Sequence, residues 1–444
     1  MTPLNHLTAT EAAAKIRAGT ITSQALVEAC LARIAEREGA VKAFAHIEPA
    51  HALVQAKAAD RQHRNGRGQG ALHGVPVAIK DIIDTADMPT EHGSPAHKGR
   101  QPERDAACVT ALREAGAVIL GKTITTELAT LTPNVTHNPV NLGHTPGGSS
   151  SGSAAAVADH MVPAALGTQT GGSVIRPASF CGIYGFKPTF GTIPRAGVLA
   201  QAPSLDTVGV YGGSVADLAL LTDVMSRHDA AEAASYPRSG SGLSAIAASE
   251  PPIAPMFAFV KTAAWHDPGE PGMREAFGEL VETLGGRVAE ESMDHTIERG
   301  LALAKIVNNS ELALHFGPIL ERSPEAVSKR LTEQITEARA LKAADYLAAL
   351  AAREEIYRSL QSVFDSHGTI LTPASPGPAP NGLAATGNPI FNAFWTYMGV
   401  PCVTLPLLEI DGMPMGVQLI GARRDDGRLL RTAAWLVRHL SAKA

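Results

Sequence analysis

The chain opens with stretches in which apolar residues return every three or four positions, the period of a helix with one buried face. Thr8 and Glu11 have capping-box spacing ahead of the first such stretch, and Gly19 stands where a short helix stops. Ser23 is placed to cap a second helix, along which Val27, Cys30, Leu31 and Ile34 form one apolar stripe. A third helix is expected over residues 50–61, so the segment 1–62 reads as mostly helical and structural in role. After the polar turn RQHRNGRGQG the period changes to short apolar runs broken by glycine and proline. Residues 75–79 read as a strand closed by Lys80 and Asp81, and Pro76 argues for a sheet edge or a strand start. A helix suits 107–115 and a buried strand suits 117–120.

Further on, 256–260 and 368–371 read as strands and 272–284 as a helix. Alternation of this kind favours an α/β fold, a sheet covered by helices. Residues 230–252 are rich in Ala, Ser, Gly and Pro and read as a surface loop or insertion. Helical patterns dominate 297–363, and a last amphipathic helix holds Leu429, Leu430, Leu436, Val437 and Leu440. The stretch 372–421, rich in proline and glycine, reads as loops and short strands near a surface cleft and carries no chemistry of its own. No repeat and no domain boundary interrupts the 444 residues, which points to a single domain.

Composition narrows the function classes. With 45% hydrophobic and 18% charged residues the chain can build a large core, and a formal net charge of −5 without dense Lys/Arg blocks disfavours nucleic acid or an anionic membrane as partner. There is no basic, apolar leader and no run of about 18 apolar residues, so a cytoplasmic protein is expected. Cys30, Cys108, Cys181 and Cys402 are too far apart for a zinc ribbon or disulfide framework. His92 and His97 lack any ligand spacing and read as loop histidines. No metal and no cofactor is expected.

Two motifs mislead. Residues 116–123, GAVILGKT, match the phosphate-loop pattern letter for letter, but the four variable positions are strand formers rather than a cradling turn. Residues 148–152, GSSSG, match the nucleophile elbow around Ser150, yet HNPVNLGHTP before them is no strand.

The chemistry lies in GGSSSGSAAAVADHMVPAALGTQTGGSVIR, residues 147–176: two glycine-serine loops separated by an alanine-rich run. A serine can attack without histidine if a neutral lysine takes its proton, directly or through a second hydroxyl. Lys80 ends a strand, Ser149 lies in the first loop and Ser173 ends the second. A lysine buried among hydroxyls rather than carboxylates loses proton affinity and becomes a base near neutrality. In the second loop Thr170, Gly171, Gly172 and Ser173 present successive N–H groups, as an oxyanion hole requires, and such donors contribute about 3 to 4 kcal/mol each. The plain alternative is a flexible Gly/Ser turn.

ALHGVPVAIKDIIDT around Lys80, TPGGSSSGSAAAVA around Ser149 and LGTQTGGSVIRPASFCGIYGFKPTFG around Ser173 resemble the core of the amidase signature family. SLDTVGVYGGSVADLALL and the region 401–421 resemble its later parts, and the likeness is least clear over 230–363. The resemblance implies one large domain over 1–444, with a signature core over about 66–215 and a mixed twisted β-sheet covered by helices on both faces. It also implies a Ser-Ser-Lys triad: Ser173 as nucleophile, Ser149 as bridging hydroxyl on a cis Gly148–Ser149 bond, Lys80 as general base.

Gln169 stands where an aspartate is frequent in the family. Malonamidase-type members share the TQTGGSVIRP form, in which an arginine three residues after the nucleophile binds the substrate carboxylate. Arg176 occupies that place, so a small amide bearing an acid group is the leading substrate, with structural pairing of Arg176 as the alternative and Arg195 as a weaker second candidate. Two other readings stand beside this one. One is the amidase subunit of a tRNA-dependent amidotransferase, which hydrolyses glutamine and passes ammonia to a partner; the other is a non-catalytic binding protein on the same scaffold. Homodimers are common among related enzymes, so a homodimer is one assembly the resemblance allows, and the sequence leaves the oligomeric state open.

Overall fold

In the computed structural model, which describes residues 2–68, 70–237 and 242–442, the chain builds around one mixed sheet of eleven strands. In chain order these are β1 (Phe44–Ile47), β2 (Pro76–Lys80), β3 (Val118–Thr123), β4 (Ala164–Gln169), β5 (Tyr184–Lys187), β6 (Thr207–Gly212), β7 (Met256–Lys261), β8 (Val288–Ser292), β9 (Gly368–Pro373), β10 (Cys402–Ile410) and β11 (Met413–Ile420). They lie side by side as β1-β3-β2-β4-β6-β5-β10-β11-β9-β7-β8. The runs β3-β2-β4 and β9-β7-β8 are parallel and every other pairing is antiparallel. Helices flank this sheet, and the molecule is a single α/β domain.

All five residues of β2 are buried, so both faces of the strand are covered. That explains its near-continuous apolar run, which belongs to a parallel strand inside a sheet rather than to an edge. Pro76 is simply the first residue of the strand. β3 extends past the expected 117–120 to Thr123, so Gly121, Lys122 and Thr123 are strand residues and no phosphate loop forms. Near the start of the chain the Thr8–Glu11 capping box forms, but the second helix is capped by Thr22. Ser23 instead lies inside that helix, where its hydroxyl bonds the Gly74 carbonyl at 2.7 Å and its N–H bonds Asp60. The segment before residue 65 also contributes β1 to the sheet. The polar turn 61–70 includes residue 69, and the expected 230–252 loop includes 238–241, which lie outside the described residues; the remainder of that loop contains the helix Leu243–Ala248.

The proline-rich stretch departs most from expectation. It contains β10 and β11, the longest strands, joined through Asp411 and Gly412 at φ 51° and 76° and lodged in the interior of the sheet. An Asp-Gly pair at positive φ is the mark of a tight two-residue hairpin, and it stands in the sequence as EIDGMPM.

The two glycine-serine loops follow from this frame. β2 and β4 are parallel neighbours with Ile79 opposite Leu166, so Lys80 and Thr168 emerge together at their C-terminal ends. The helices Ser151–Ala158 and Ile175–Cys181 follow the two loops, and every residue of both is buried except Ala158, which is half-buried. Gly152 permits the first helix to sit close: a Cβ there would stand 2.1 Å from the Ala43 carbonyl oxygen.

Candidate active site

Lys80 has no exposed surface, and its ammonium nitrogen lies 2.8 Å from Ser149 Oγ and 2.8 Å from Thr168 Oγ1. Burial drives its pKa well below the ordinary lysine value, and the negative charge of Asp206 pulls the other way. A buried amine whose contacts are both hydroxyls can lose its proton without stranding a partner, because a hydroxyl donates as readily as it accepts. The Gly148–Ser149 peptide bond is cis. Gly147, at φ 81°, turns the chain into it, and the Ser149 carbonyl accepts the Thr126 N–H at 3.1 Å.

Ser173 is partly exposed, and its hydroxyl makes no hydrogen bond among the described residues. Its own carbonyl accepts the Tyr211 hydroxyl at 3.1 Å. No acceptor takes the N–H groups of Gly171, Gly172 or Ser173 among the described residues, which leaves them available to an incoming oxyanion. What fixes this loop comes from both sides. Gln169 Oε1 accepts the N–H groups of Val174 and Ile175 at 2.8 and 3.0 Å, and its Nε2 donates to Thr396 Oγ1 at 3.0 Å. Thr396 in turn donates to the Gly171 carbonyl at 2.6 Å. Thr170 Oγ1 donates to Asp206 Oδ1 at 2.6 Å.

Arg176 is buried without a carboxylate. Its Nε donates to the Thr386 carbonyl at 2.7 Å and one terminal nitrogen donates to the Gly148 carbonyl at 2.7 Å, while Nη1 has no partner among the described residues. Burial pushes its pKa down to about 10. Nη1 points at the loop that carries Ser173: it would stand 3.1 Å from a Cβ on Gly172. Arg195 is committed elsewhere, to Glu232 and to the carbonyls of Pro203 and Asp206, which removes it as a free carboxylate binder. A narrow cleft with about 10 Å³ of free volume, room for about one water, lies beside the loop, with Thr168, Thr170, Arg195 and Asp206 in its wall.

Ser150, the centre of the elbow-like pattern, is buried and bonded to the Thr168 backbone, away from any strand-to-helix elbow. His92 and His97 pack ring against ring at 4.6 Å between centroids, and among the described residues no group of His, Cys, Asp and Glu could hold a metal ion. Among the described residues no helix is long and apolar enough to cross a membrane.

Sequence reasoning missed Thr168, Asp206, Thr386 and Thr396. Thr168 was legible, since it stands two residues before Thr170 and therefore on the same strand face. The other three reach the loops only through the packing of distant segments.

These features define an amidohydrolase with its loops at the ends of parallel strands, and the chain belongs to the amidase family, whose model, described as Amidase, matches residues 25–430. It cleaves amide C–N bonds. A glutamyl-tRNA(Gln) amidotransferase subunit of Chloroflexus aurantiacus is 36% identical over 471 aligned positions, covering 97% of this chain and 96% of that protein. Among solved structures, native peptide amidase from Stenotrophomonas maltophilia superposes with a TM-score of 0.83 at 27% identity, over 98% of this chain and 97% of that one. A chain of a vestigial protein complex, described as revealing the evolutionary origins of an s-triazine catabolic enzyme, gives a TM-score of 0.90 at 28% identity, over 97% of this chain and 98% of that one.

Proposed function

We propose that Ser173 attacks the carboxamide carbon while Ser149 accepts its proton and passes its own to Lys80. The N–H groups of residues 170–173 hold the oxyanion. The C–N bond then breaks, the amine or ammonia leaves with the proton returned through Ser149, and water hydrolyses the acyl-enzyme by the same path. The observation that carries this reading is the 2.8 Å contact between a fully buried Lys80 and Ser149, with no carboxylate touching the lysine. A fluorophosphonate probe tests it: Ser173 is labelled in the wild type, and Ser173→Ala neither labels nor releases ammonia. Failure to label wild-type Ser173 would favour a binding protein on this scaffold.

For the substrate, the carrying observation is Arg176. A buried guanidinium with one unpartnered nitrogen beside the nucleophile loop, and no acid of its own, suits the carboxylate of a small amide. Gln169, in the place of a frequent aspartate, keeps the neighbourhood free of a competing charge, as in the malonamidase-type pattern. Arg176 also braces the relay loop through Gly148, so Arg176→Ala lowers turnover of every amide. The expected result is that kcat/KM on a carboxylate-bearing amide falls about ten- to a hundredfold further than on a neutral one. Equal losses would make Arg176 purely structural.

The relatives support a second reading, the glutaminase subunit of a tRNA-dependent amidotransferase. Glutamine is itself a carboxylate-bearing amide, so Arg176 serves both. Ammonia release from glutamine alone, together with partner subunits retained on purification, would select it over an independent hydrolase.

A further inference from the structure

We infer that Asp206 is a positioning residue of the reaction: its carboxylate anchors the oxyanion loop through Thr170 and supplies the negative charge against which Lys80 takes up the serine proton. The inference rests on the proposed role of Lys80 as base.

The geometry is specific. Asp206 is buried between β4 and the start of β6, and its carboxylate accepts three hydrogen bonds: Thr170 Oγ1 to Oδ1 at 2.6 Å, and the N–H groups of Gln201 and Ala202 to Oδ2, each at 2.9 Å. Burial raises the pKa of Asp206 above the ordinary carboxylate value, and these donors work against that rise in favour of the ionised form. Thr168, which holds Lys80, and Thr170, which is held by Asp206, lie two residues apart at the end of β4 and line the same cleft as Asp206. One strand end therefore carries both links.

The charges around the pair are few. Among the described residues Asp206 is the charged group that bears on Lys80, and it favours the protonated lysine. Arg195 faces Asp206 from the loop after residue 190 and helps keep it ionised. Lys122 and Asp81 belong to the other face: on β2 and β3 Lys80 pairs with Thr123, whereas Lys122 pairs with Ile79. Without Asp206 a fully buried lysine among hydroxyls would be too weak a base to hold the proton while the tetrahedral intermediate forms. With it, the cation generated on Lys80 has a counter-charge that does not touch it and so does not quench the base.

Asp206→Asn tests the charge alone. Asn Oδ1 can accept from the N–H groups of Gln201 and Ala202, while its Nδ2 donates to Thr170 Oγ1, since a hydroxyl accepts as well as donates. The rate of Ser173 labelling by a fluorophosphonate, followed against pH, needs no knowledge of the substrate and reports deprotonation of Lys80. In the wild type labelling rises with pH through the lysine transition. In folded Asp206→Asn that transition moves to lower pH by about one unit, a tenfold loss of proton affinity, and an unmoved transition overturns the assignment of charge. Thr170→Val keeps the Asp206 charge and cuts the anchor: labelling slows about tenfold with the transition unmoved, and Thr170→Ser restores it. An unchanged rate in Thr170→Val overturns the anchoring role. Absence of labelling in the wild type would instead count against Lys80 and Ser173 themselves.

Discussion

Lys80 and Lys122 sit on neighbouring strands of one sheet, both without exposed surface, and they are built for opposite ends. Lys80 touches hydroxyls, Ser149 and Thr168. Lys122 donates to the Ile83 carbonyl at 2.5 Å and to Thr90 and Thr85 at 2.6 and 3.3 Å, partners enough for all the hydrogens of an ammonium. Thr85 spends its own proton on the Met88 carbonyl, so toward Lys122 it can only accept. Burial brings the pKa of Lys122 down to about 8, with Asp81, Asp84 and Asp87 limiting the fall; burial also takes Lys80 well below the ordinary value, and among the described residues Asp206 is the acid that opposes it. Burial by itself does not make a lysine a base. A base needs partners that can give a proton back and few acids to hold the charge in place.

The comparison can be broken most directly by removing each amine. Lys80→Met is expected to leave the fold intact and to lower turnover by about 10²- to 10⁴-fold, the usual worth of a general base; ammonia release and labelling of Ser173 measure it. Lys122→Met is expected to do the reverse. The Ile83 carbonyl loses its donor and the acids nearby lose a positive charge, at a cost of about 1 to 3 kcal/mol in urea unfolding, while the folded fraction stays active within a few fold. If the activity losses of the two variants matched, the division between them would fail.

A pH titration of stability sharpens the same contrast. The folded pKa of Lys122 is about 8 against 10.5 when unfolded. Below pH 8 both states hold the proton and the burial penalty is complete; between about 8 and 10.5 the unfolded state binds more protons, so stability rises with pH. Wild type should therefore gain on Lys122→Met across that window, as read by denaturant midpoints. The smallest effect belongs to Thr168→Val, which takes one hydroxyl from Lys80 and leaves Ser149 in place. Turnover should fall about tenfold, consistent with one lost hydrogen bond to a charged group, with KM little changed.

Much of this was legible in the chain. The short continuous apolar runs marked β2 and β3, the glycine-serine loops marked where hydroxyls and bare N–H groups come together, and the resemblance to a known family singled out Lys80, Ser149 and Ser173 along with Arg176. The proline-rich stretch was read as loops and short strands because Pro and Gly interrupt the apolar pattern of what are the two longest strands, even though Asp411-Gly412 announced a hairpin. Gln169 was noticed only as a departure from a family pattern. Its work, bracing Val174, Ile175 and Thr396, appears only in three dimensions.

The sequence by itself determined four of the strands, β2, β3, β7 and β9, the two loops and the residue types capable of amide chemistry, because these follow from local periodicity and from what each side chain can donate, accept or ionise. Tertiary structure decided which of two buried lysines faces hydroxyls, that Arg195 is held by Glu232 while Arg176 keeps a free nitrogen, and that Asp206 and Thr396 reach the nucleophile loop. The reason is register. A one-residue slip between β2 and β3 would bring Lys122 opposite Lys80 on the same face of the sheet, and that register is set by pairing between segments far apart in the chain, which no local pattern records.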